Sequence, residues 1–321
     1  MTIEVRVRRK REVAQGICAF ELERADGGPL PAFGAGAHID VQVPGGPVRQ
    51  YSLSNIHGPD PASRGHYRIA VLREPASRGG SAGMHEKVNE GDLLTIGEPR
   101  NHFPLHDAPR SLLLAGGIGV TPILCMAQRL AAWGAEFEMH YCTRSAARTA
   151  FREEIAASAF ADKVHFHHDD GDEAQKLRAA ELLAHPESGT QVYVCGPGGF
   201  IEHVMGVAKA QGWPANQLHT EYFTAAAQDT TGDQPFQVKL TSSGQTYTVP
   251  KDRSVVETLR AHGVEVMTAC EQGVCGTCLT RVLEGTPEHR DVYLTDEEKA
   301  AGDQFLPCCS RAKTPVLVLD L

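Results

Sequence analysis

The chain has 321 residues, 41% hydrophobic, 22% charged and 6% aromatic, which is enough apolar material for two or three ordinary domain cores. Its formal charge of −9 is the wrong sign for gripping nucleic acid or an anionic membrane, and it has few aromatic rings for stacking bases. No run of 18 apolar residues is present and residues 1–11 (MTIEVRVRRKR) lack an apolar signal core, so a cytoplasmic protein with no nucleic-acid or membrane partner is expected.

Alternating apolar residues at 3–7, 39–43, 50–53, 67–72 and 93–96, separated by Gly/Pro turns such as Pro44-Gly45-Gly46, predict a small antiparallel β-barrel over 1–106. Arg49-Gln50-Tyr51-Ser52 ends one strand with a guanidinium that pairs with phosphate, a ring that packs on a flat ligand and a hydroxyl donor. Ala70-Val71-Leu72-Arg73 forms a second strand, followed by Arg78-Gly79-Gly80-Ser81 at the start of a short helix, 82–87. Those glycines permit a backbone anion nest, and Ser81 adds a hydroxyl.

From residue 111 the pattern changes. Strands at 111–115, 137–142, 164–166 and 191–195 alternate with helices at 121–133, 146–157, 174–183 and 198–211. This predicts an α/β domain with a parallel sheet over 107–226. The first strand runs into Gly116-Gly117-Ile118-Gly119-Val120-Thr121-Pro122, with Thr121 suited to cap the helix and Pro122 to its first turn. Glycines here let a pyrophosphate reach the helix N-terminus. Proline stands where the third glycine of G-x-G-x-x-G would fall, and no acidic residue ends the next strand, so the motif departs from the Rossmann fingerprint. That next strand ends at Thr143-Arg144, and the last parallel strand ends at Cys195-Gly196-Pro197. His165 and His167 share a strand face with no third ligand evident, so that histidine-rich stretch reads as a strand end beside an acidic loop.

Residues 227–235 have the composition of a linker. Beyond it, strands at 236–240 and 247–249 and a helix at 254–261 lead to the cysteine-rich end. Thr295-Asp296-Glu297-Glu298 has the form of a helix capping box. Five of the nine cysteines lie between Cys270 and the C-terminus, too crowded and too odd in number for a secreted disulfide framework. Cys270, Cys275, Cys278 and Cys308 follow C-x4-C-x2-C-x29-C, whose first three positions have the plant-type [2Fe–2S] spacing. A zinc site would more naturally use two C-x2-C pairs, and only Cys275 and Cys278 form one. The length of the intervening segment favours Cys308 over its neighbour Cys309 as the fourth ligand.

The cysteine loop resembles the plant-type ferredoxin domain over about residues 234–321. Together with the ending CCSRAK…LVLDL and the reductase-like modules before it, it makes the whole chain similar to the phthalate dioxygenase reductase family. The resemblance implies a flavin barrel (1–106), an NAD(P)H-binding α/β domain (107–226) and a β-grasp [2Fe–2S] domain (236–321). It implies FMN held by Arg49, Tyr51, Ser52, the strand Ala70, Val71 and Leu72, and the Gly80–Ser81 loop. The residues by themselves leave FAD open. It implies a nicotinamide nucleotide along Gly117, Gly119, Thr121, Pro122, Thr143, Arg144, Gly196 and Pro197, with NADH favoured and NADPH left open through Arg144. Cys195, Glu221 and Phe223 are expected beside the reacting rings, Cys195 as a positioning residue; packing alone would equally explain Phe223.

A hydride carries two electrons and a [2Fe–2S] cluster accepts one, so a flavin between them is required. The reading is an NADH-dependent oxidoreductase that passes electrons through FMN and the cluster to a terminal oxygenase. The resemblance implies a Rieske non-haem iron enzyme acting on an aromatic or similar small substrate, met transiently by a monomeric reductase. Alternatives are a ferredoxin-type carrier, which requires that residues 1–223 bind no flavin, and a reductase serving a cytochrome P450 or another acceptor.

Overall fold

The structure, a computed structural model, describes residues 2–56, 65–75, 77, 79–223 and 230–321. The expected phosphate-loop residue Arg78, the end of the α/β segment at 224–226 and linker residues 227–229 lie outside them. The chain divides into two units, residues 1–223 and 224–321. Among the described residues no helix is long and apolar enough to cross a membrane.

The first unit begins with β1 (Thr2–Ala14), β2 (Ile17–Arg24), β3 (His38–Gln42), β4 (Val48–Ser52), β5 (Tyr67–Leu72), α1 (Gly80–Lys87) and β6 (Leu93–Gly97). The six strands form a sheet in the order β4-β3-β6-β1-β2-β5. Leu53, just past β4, bridges Ile69 of β5, so the two edges meet and the sheet closes into a barrel. Its interior is filled by Val5, Phe20, Leu22, Ile39, Val41 and Ile69. Strand β2 has no counterpart in the sequence reading, because Ala19 and Phe20 are both buried and the period-2 signal fails there.

Next come β7 (Arg110–Gly116), α2 (Val120–Trp133), β8 (Glu136–Thr143), α3 (Arg152–Ala156), β9 (Val164–His168), α4 (Ala179–Leu182), β10 (Thr190–Gly196), α5 (Gly198–Ala210) and β11 (Leu218–Tyr222). Their strands form an all-parallel sheet in the order β11-β10-β7-β8-β9. Alternation along β7 sends Leu113 and Ala115 toward α2 and sends Leu112 and Leu114 toward α5. Two expected helices are shorter than predicted. The stretch 146–157 is interrupted by Phe151, whose φ of 60° cannot continue a helix. In 174–183, a 3-10 turn ends at Gln175, whose backbone and side chain hydrogen-bond His167 and His168, and the α-helix begins only at Ala179.

One apolar core runs from the barrel (Ile17, Ala19, Ala35, Ala70, Phe103) into the face of the sheet under α2. Arg68 of β5 clamps this junction. Its Nη1 donates to both carboxylate oxygens of Glu154 in α3 at 2.8 Å, its other donors reach Ser54, and its guanidinium lies 4.6 Å from the centre of the Phe151 ring. Removing one partner of a buried ion pair costs about 3–5 kcal/mol. Glu154 is partly exposed, so Arg68→Met is expected at the low end, about 3 kcal/mol or roughly a 6–12 °C drop in the unfolding temperature. Differential scanning calorimetry checks this; an unchanged midpoint would show that the clamp is not stabilising.

The second unit contains β12 (Phe236–Leu240), β13 (Thr246–Val249), α6 (Val255–Ala261), β14 (Thr280–Glu284), β15 (Pro287–Glu288), α7 (Asp296–Ala301), β16 (Gln304–Phe305), β17 (Arg311–Ala312) and β18 (Val316–Leu319). Five strands form a sheet in the order β13-β12-β18-β14-β16, and β15 pairs with β17. Both α6 and α7 open on full capping boxes, Ser254/Glu257 and Thr295/Glu298, the second as the sequence predicts. The described end of the linker stretch is anchored: Asp233 is buried between Arg290 and Arg311.

Candidate functional site

In the barrel, Arg49 and Tyr51 lie on β4 opposite Val41 and Ile39 of β3. The Arg49 side chain crosses the start of α1: a Cβ on Gly80 would come within 2.9 Å of its Cγ, so glycine is what lets the two lie together. Gly79 takes a left-handed conformation (φ 88°) and no side chain caps α1. Ser77 Oγ accepts from the Ala82 N–H. Ser81 Oγ accepts from the Glu74 N–H at 3.1 Å, which leaves the hydroxyl hydrogen for another acceptor. The result is a loop of backbone and hydroxyl donors beside a guanidinium, a fit for phosphate. Burial pushes the Tyr51 phenol up. Ala70 and Val71 are buried in β5, Leu72 is partly exposed, and the Val71 carbonyl accepts from His85 Nε2 of α1 at 2.8 Å. That bond fixes the phosphate loop to the strand. His85 carries no sequence signal, since its role arises from contact across 14 residues.

In the parallel sheet, β7 leads into a turn of 3-10 helix at Gly117–Gly119 and then α2. A Cβ on Gly119 would collide with the backbone of Cys195 and Gly196, and one on Gly196 would meet Gly116 Cα at 2.9 Å. These glycines bring the carboxyl ends of β7 and β10 together, where nucleotides bind in such sheets. Gly117 has a φ of 53° and open space where a side chain would stand. The expected cap is corrected here: Gly119 is the N-cap, and Thr121 lies inside the helix with its hydroxyl donating to the Ile118 carbonyl at 3.1 Å. No side chain caps α2, and the N–H of its first residue, Val120, bonds back to the Gly117 carbonyl of the 3-10 turn. Pro122 sits in the first turn as expected, and Pro197 precedes α5. Thr143 is buried, and its hydroxyl bonds Thr149 and His168, shaping the strand end; Arg144 is exposed beside it.

The barrel and the sheet meet chemically at Ser52, whose Oγ donates to Glu221 Oε2 at 3.3 Å. Glu221 pairs in register with Cys195 across β10 and β11. The Cys195 thiol is fully buried and raised well above its ordinary value by desolvation, so it is a neutral, compact side chain and no nucleophile. Phe223 packs against the shared core. Glu221 retains some exposed surface as a residue, yet burial of its carboxyl raises it from 4.5 to about 8. A carboxyl raised in the folded state stabilises nothing above its folded value: its contribution is intact below pH 4.5 and is lost as pH rises to about 8. Glu221→Gln is therefore expected to unfold at a higher temperature than the parent at pH 8 and at the same temperature at pH 4.5. Melting curves at the two pH values test this.

In the second unit Cys270, Cys275, Cys278 and Cys308 are all buried. The Cys270 thiol lies within hydrogen-bonding reach of Cys275 and Cys308, which pull it down, and Cys308 also reaches Cys278 and lowers it. Amide N–H groups point at the sulfurs, Gln272 to Cys270 at 3.3 Å and Thr277 to Cys275 at 3.5 Å. Gly273 and Gly276 adopt φ of 73° and 70°, and a Cβ on Gly276 would overlap the Tyr293 ring. Four convergent thiols with amides aimed at them are the donor set of an iron–sulfur cluster. Cys309 borders the cluster loop: its thiol reaches Cys308 and packs over Gly273, 3.7 Å from the Leu306 carbonyl.

A barrel with a phosphate loop, a parallel sheet with a nucleotide turn and a unit with a four-cysteine loop define an iron–sulfur reductase of the pyridine-nucleotide type. Residues 238–313 match the 2Fe-2S iron-sulfur cluster binding domain, and residues 101–218 match the N-terminal domain of dimethylamine monooxygenase subunit DmmA-like proteins. The chain is 56% identical over 320 residues to the vanillate O-demethylase oxidoreductase of Pseudomonas sp., covering 99% of this chain and 100% of the relative. The solved structure of phthalate dioxygenase reductase, described as modular for electron transfer from pyridine nucleotides to [2Fe–2S], superposes with a TM-score of 0.77 at 39% identity, covering 100% of this chain and 98% of that one. A type IV self-sufficient cytochrome P450 monooxygenase superposes with a TM-score of 0.84 at 38% identity, covering 100% of this chain and 41% of that one. The chain belongs to the phthalate dioxygenase reductase family, the reductase components of oxygenase systems.

Proposed function

We infer that the protein oxidises NADH and delivers the electrons one at a time, through FMN and a [2Fe–2S] cluster, to a terminal oxygenase of the Rieske non-haem iron type whose substrate is an aromatic or similar small molecule. The observation that carries this reading is the convergence of four buried thiols in a chain whose other unit has both a phosphate loop and a nucleotide turn. When bound, the flavin accepts a hydride and the cluster takes up single electrons. The chain's own residues position these groups. Arg49, Ser81 and the Gly80 amide are placed to hold the FMN phosphate, with Tyr51, Ser52 and the β5 strand along the ring. Gly117, Gly119, Pro122, Gly196 and Pro197 shape the dinucleotide crevice, with Thr121 fixing its turn and Thr143 and Arg144 at its edge. Cys195, Glu221 and Phe223 would border the reacting rings, and Glu221, its carboxyl raised to about 8 by burial, would put little negative charge beside them at pH 7. Cys270, Cys275, Cys278 and Cys308 are the cluster ligands.

We assign residues 1–106, 107–226 and 236–321 to the three domains, with 227–235 as their linker, and read the protein as a cytoplasmic monomer that meets its oxygenase transiently. An absorption spectrum with extraction of the flavin for mass determination tests the reading. Cluster bands with FMN, and NADH oxidation coupled to added Rieske oxygenases, are expected. A purified protein without flavin would leave only the ferredoxin-type carrier. Coupling to a P450 and to no Rieske oxygenase would reassign the acceptor; that second reading is favoured by the superposition on a P450 fusion.

A further inference from the structure

Strands β8 and β9 run parallel with His140 opposite His165. Near the centre of the sheet the face shared by Leu112, Leu114, Val192 and Val194 is covered by α5. On β8 and the edge strand β9 it becomes polar, with Glu138, His140, His165 and His167. Glu138 Oε1 lies 3.1 Å from His140 Nε2 and 3.2 Å from His165 Nε2. Behind these three atoms two of the ligands, Glu138 and His140, are braced. Glu138 Oε2 accepts from Arg110 Nη2 at 3.0 Å, and His140 Nδ1 lies 3.0 Å from His167 Nε2. His167 Nδ1 in turn lies 2.6 Å from the Gln175 carbonyl.

This relay fixes the tautomers. A carbonyl can only accept, so His167 carries a proton on Nδ1; with both rings neutral its Nε2 accepts and His140 donates from Nδ1. His140 Nε2 consequently presents a lone pair to a carboxylate oxygen. His140 is buried and stacked between His165 and His167, with ring centres 4.9 and 5.2 Å away, so its orientation is fixed by packing. One ligand atom each from Glu138, His140 and His165 thus converge within 4.8 Å of one another, the clustering that a shared cation requires.

We propose that Glu138, His140 and His165 are the protein ligands of a divalent transition-metal ion of the zinc class, with a fourth position open to water. Bonds of about 2.0–2.1 Å in a tetrahedron separate neighbouring ligand atoms by about 3.3 Å, close to the two Glu138–histidine distances. Two imidazoles and one carboxylate suit zinc and its neighbours better than calcium or magnesium. The outward N–H of a metal-bound histidine is normally held by a second group, the place His167 takes behind His140. The ion fastens edge strand β9 to the body of the sheet.

The test is calorimetric titration of zinc chloride into the holoprotein, flavin and cluster loaded, after passage over chelating resin. A single saturable zinc per chain is expected. Its affinity should fall by at least about tenfold in both His165→Ala and Glu138→Gln, as even an outer-shell substitution does. It should be unchanged in His203→Ala, which alters an exposed histidine on α5. Unchanged flavin and cluster spectra show that each variant has folded; His165 is half exposed, so its truncation leaves no core cavity. X-ray absorption at the zinc edge is expected to show two imidazole nitrogens with oxygen. Absence of saturable binding in the parent, or equal affinity in the parent and both ligand variants, overturns the proposal.

Discussion

Replacing Cys308 with serine removes iron from the second unit, taking a protein with about two irons per chain to one with none. NADH still bleaches the flavin, but electron delivery to the oxygenase falls to background. Cys308 is buried, and its sulfur reaches both Cys270 and Cys278, so it closes the ligand square that the 270–278 loop leaves open. Cys309→Ser is expected to keep both the iron and the activity, because that sulfur faces the backbone at Gly273 and a hydroxyl fits the same space. Iron analysis and the visible spectrum of the two variants decide the assignment. Loss of the cluster from Cys309→Ser with retention in Cys308→Ser would reverse it.

Gly119→Ala is expected to cut NADH-dependent flavin reduction by on the order of 100-fold, since displacing a reacting partner by about 1 Å costs that much. The added methyl has nowhere to go. It would overlap backbone atoms of Cys195 and Gly196, and a backbone cannot rotate aside as a side chain can. The turn after β7 and the end of β10 must move apart, which shifts the nucleotide crevice and Cys195 together. Overpacking of this kind also costs about 1–3 kcal/mol of stability. Stopped-flow flavin reduction measures the first effect and calorimetry the second, while the cluster spectrum stays as in the parent. Normal reduction kinetics would mean that the two strand ends have slack.

What could be read from the sequence divides according to how far apart the cooperating residues lie. Three of the four cluster ligands sit within nine residues, so spacing exposes them, and the loop's glycines stand where positive φ is needed. The nucleotide turn is equally plain, but its cap is not: Thr121 has the right side chain, whereas the cap falls two residues earlier on Gly119, pressed against β10. Strand β2 escaped because neighbouring Ala19 and Phe20 are buried together, one in the core shared with the sheet and the other inside the barrel. The break at Phe151 is set by the core and by Arg68, more than 80 residues away in the chain. Glu138 and His140 are brought to His165 only by the parallel pairing of β8 with β9.

The core shared by barrel and sheet bears on how hydride transfer is organised. With apolar packing continuous across the junction, Arg68 clamped to Glu154 and Ser52 bonded to Glu221, the two halves of residues 1–223 have no lubricated seam along which to slide. Donor and acceptor rings would therefore be registered by folding itself, and the reductive step needs no closing motion to align them. Mutations at the seam would show first as misalignment, in slower flavin reduction at full occupancy, before any loss of nucleotide affinity.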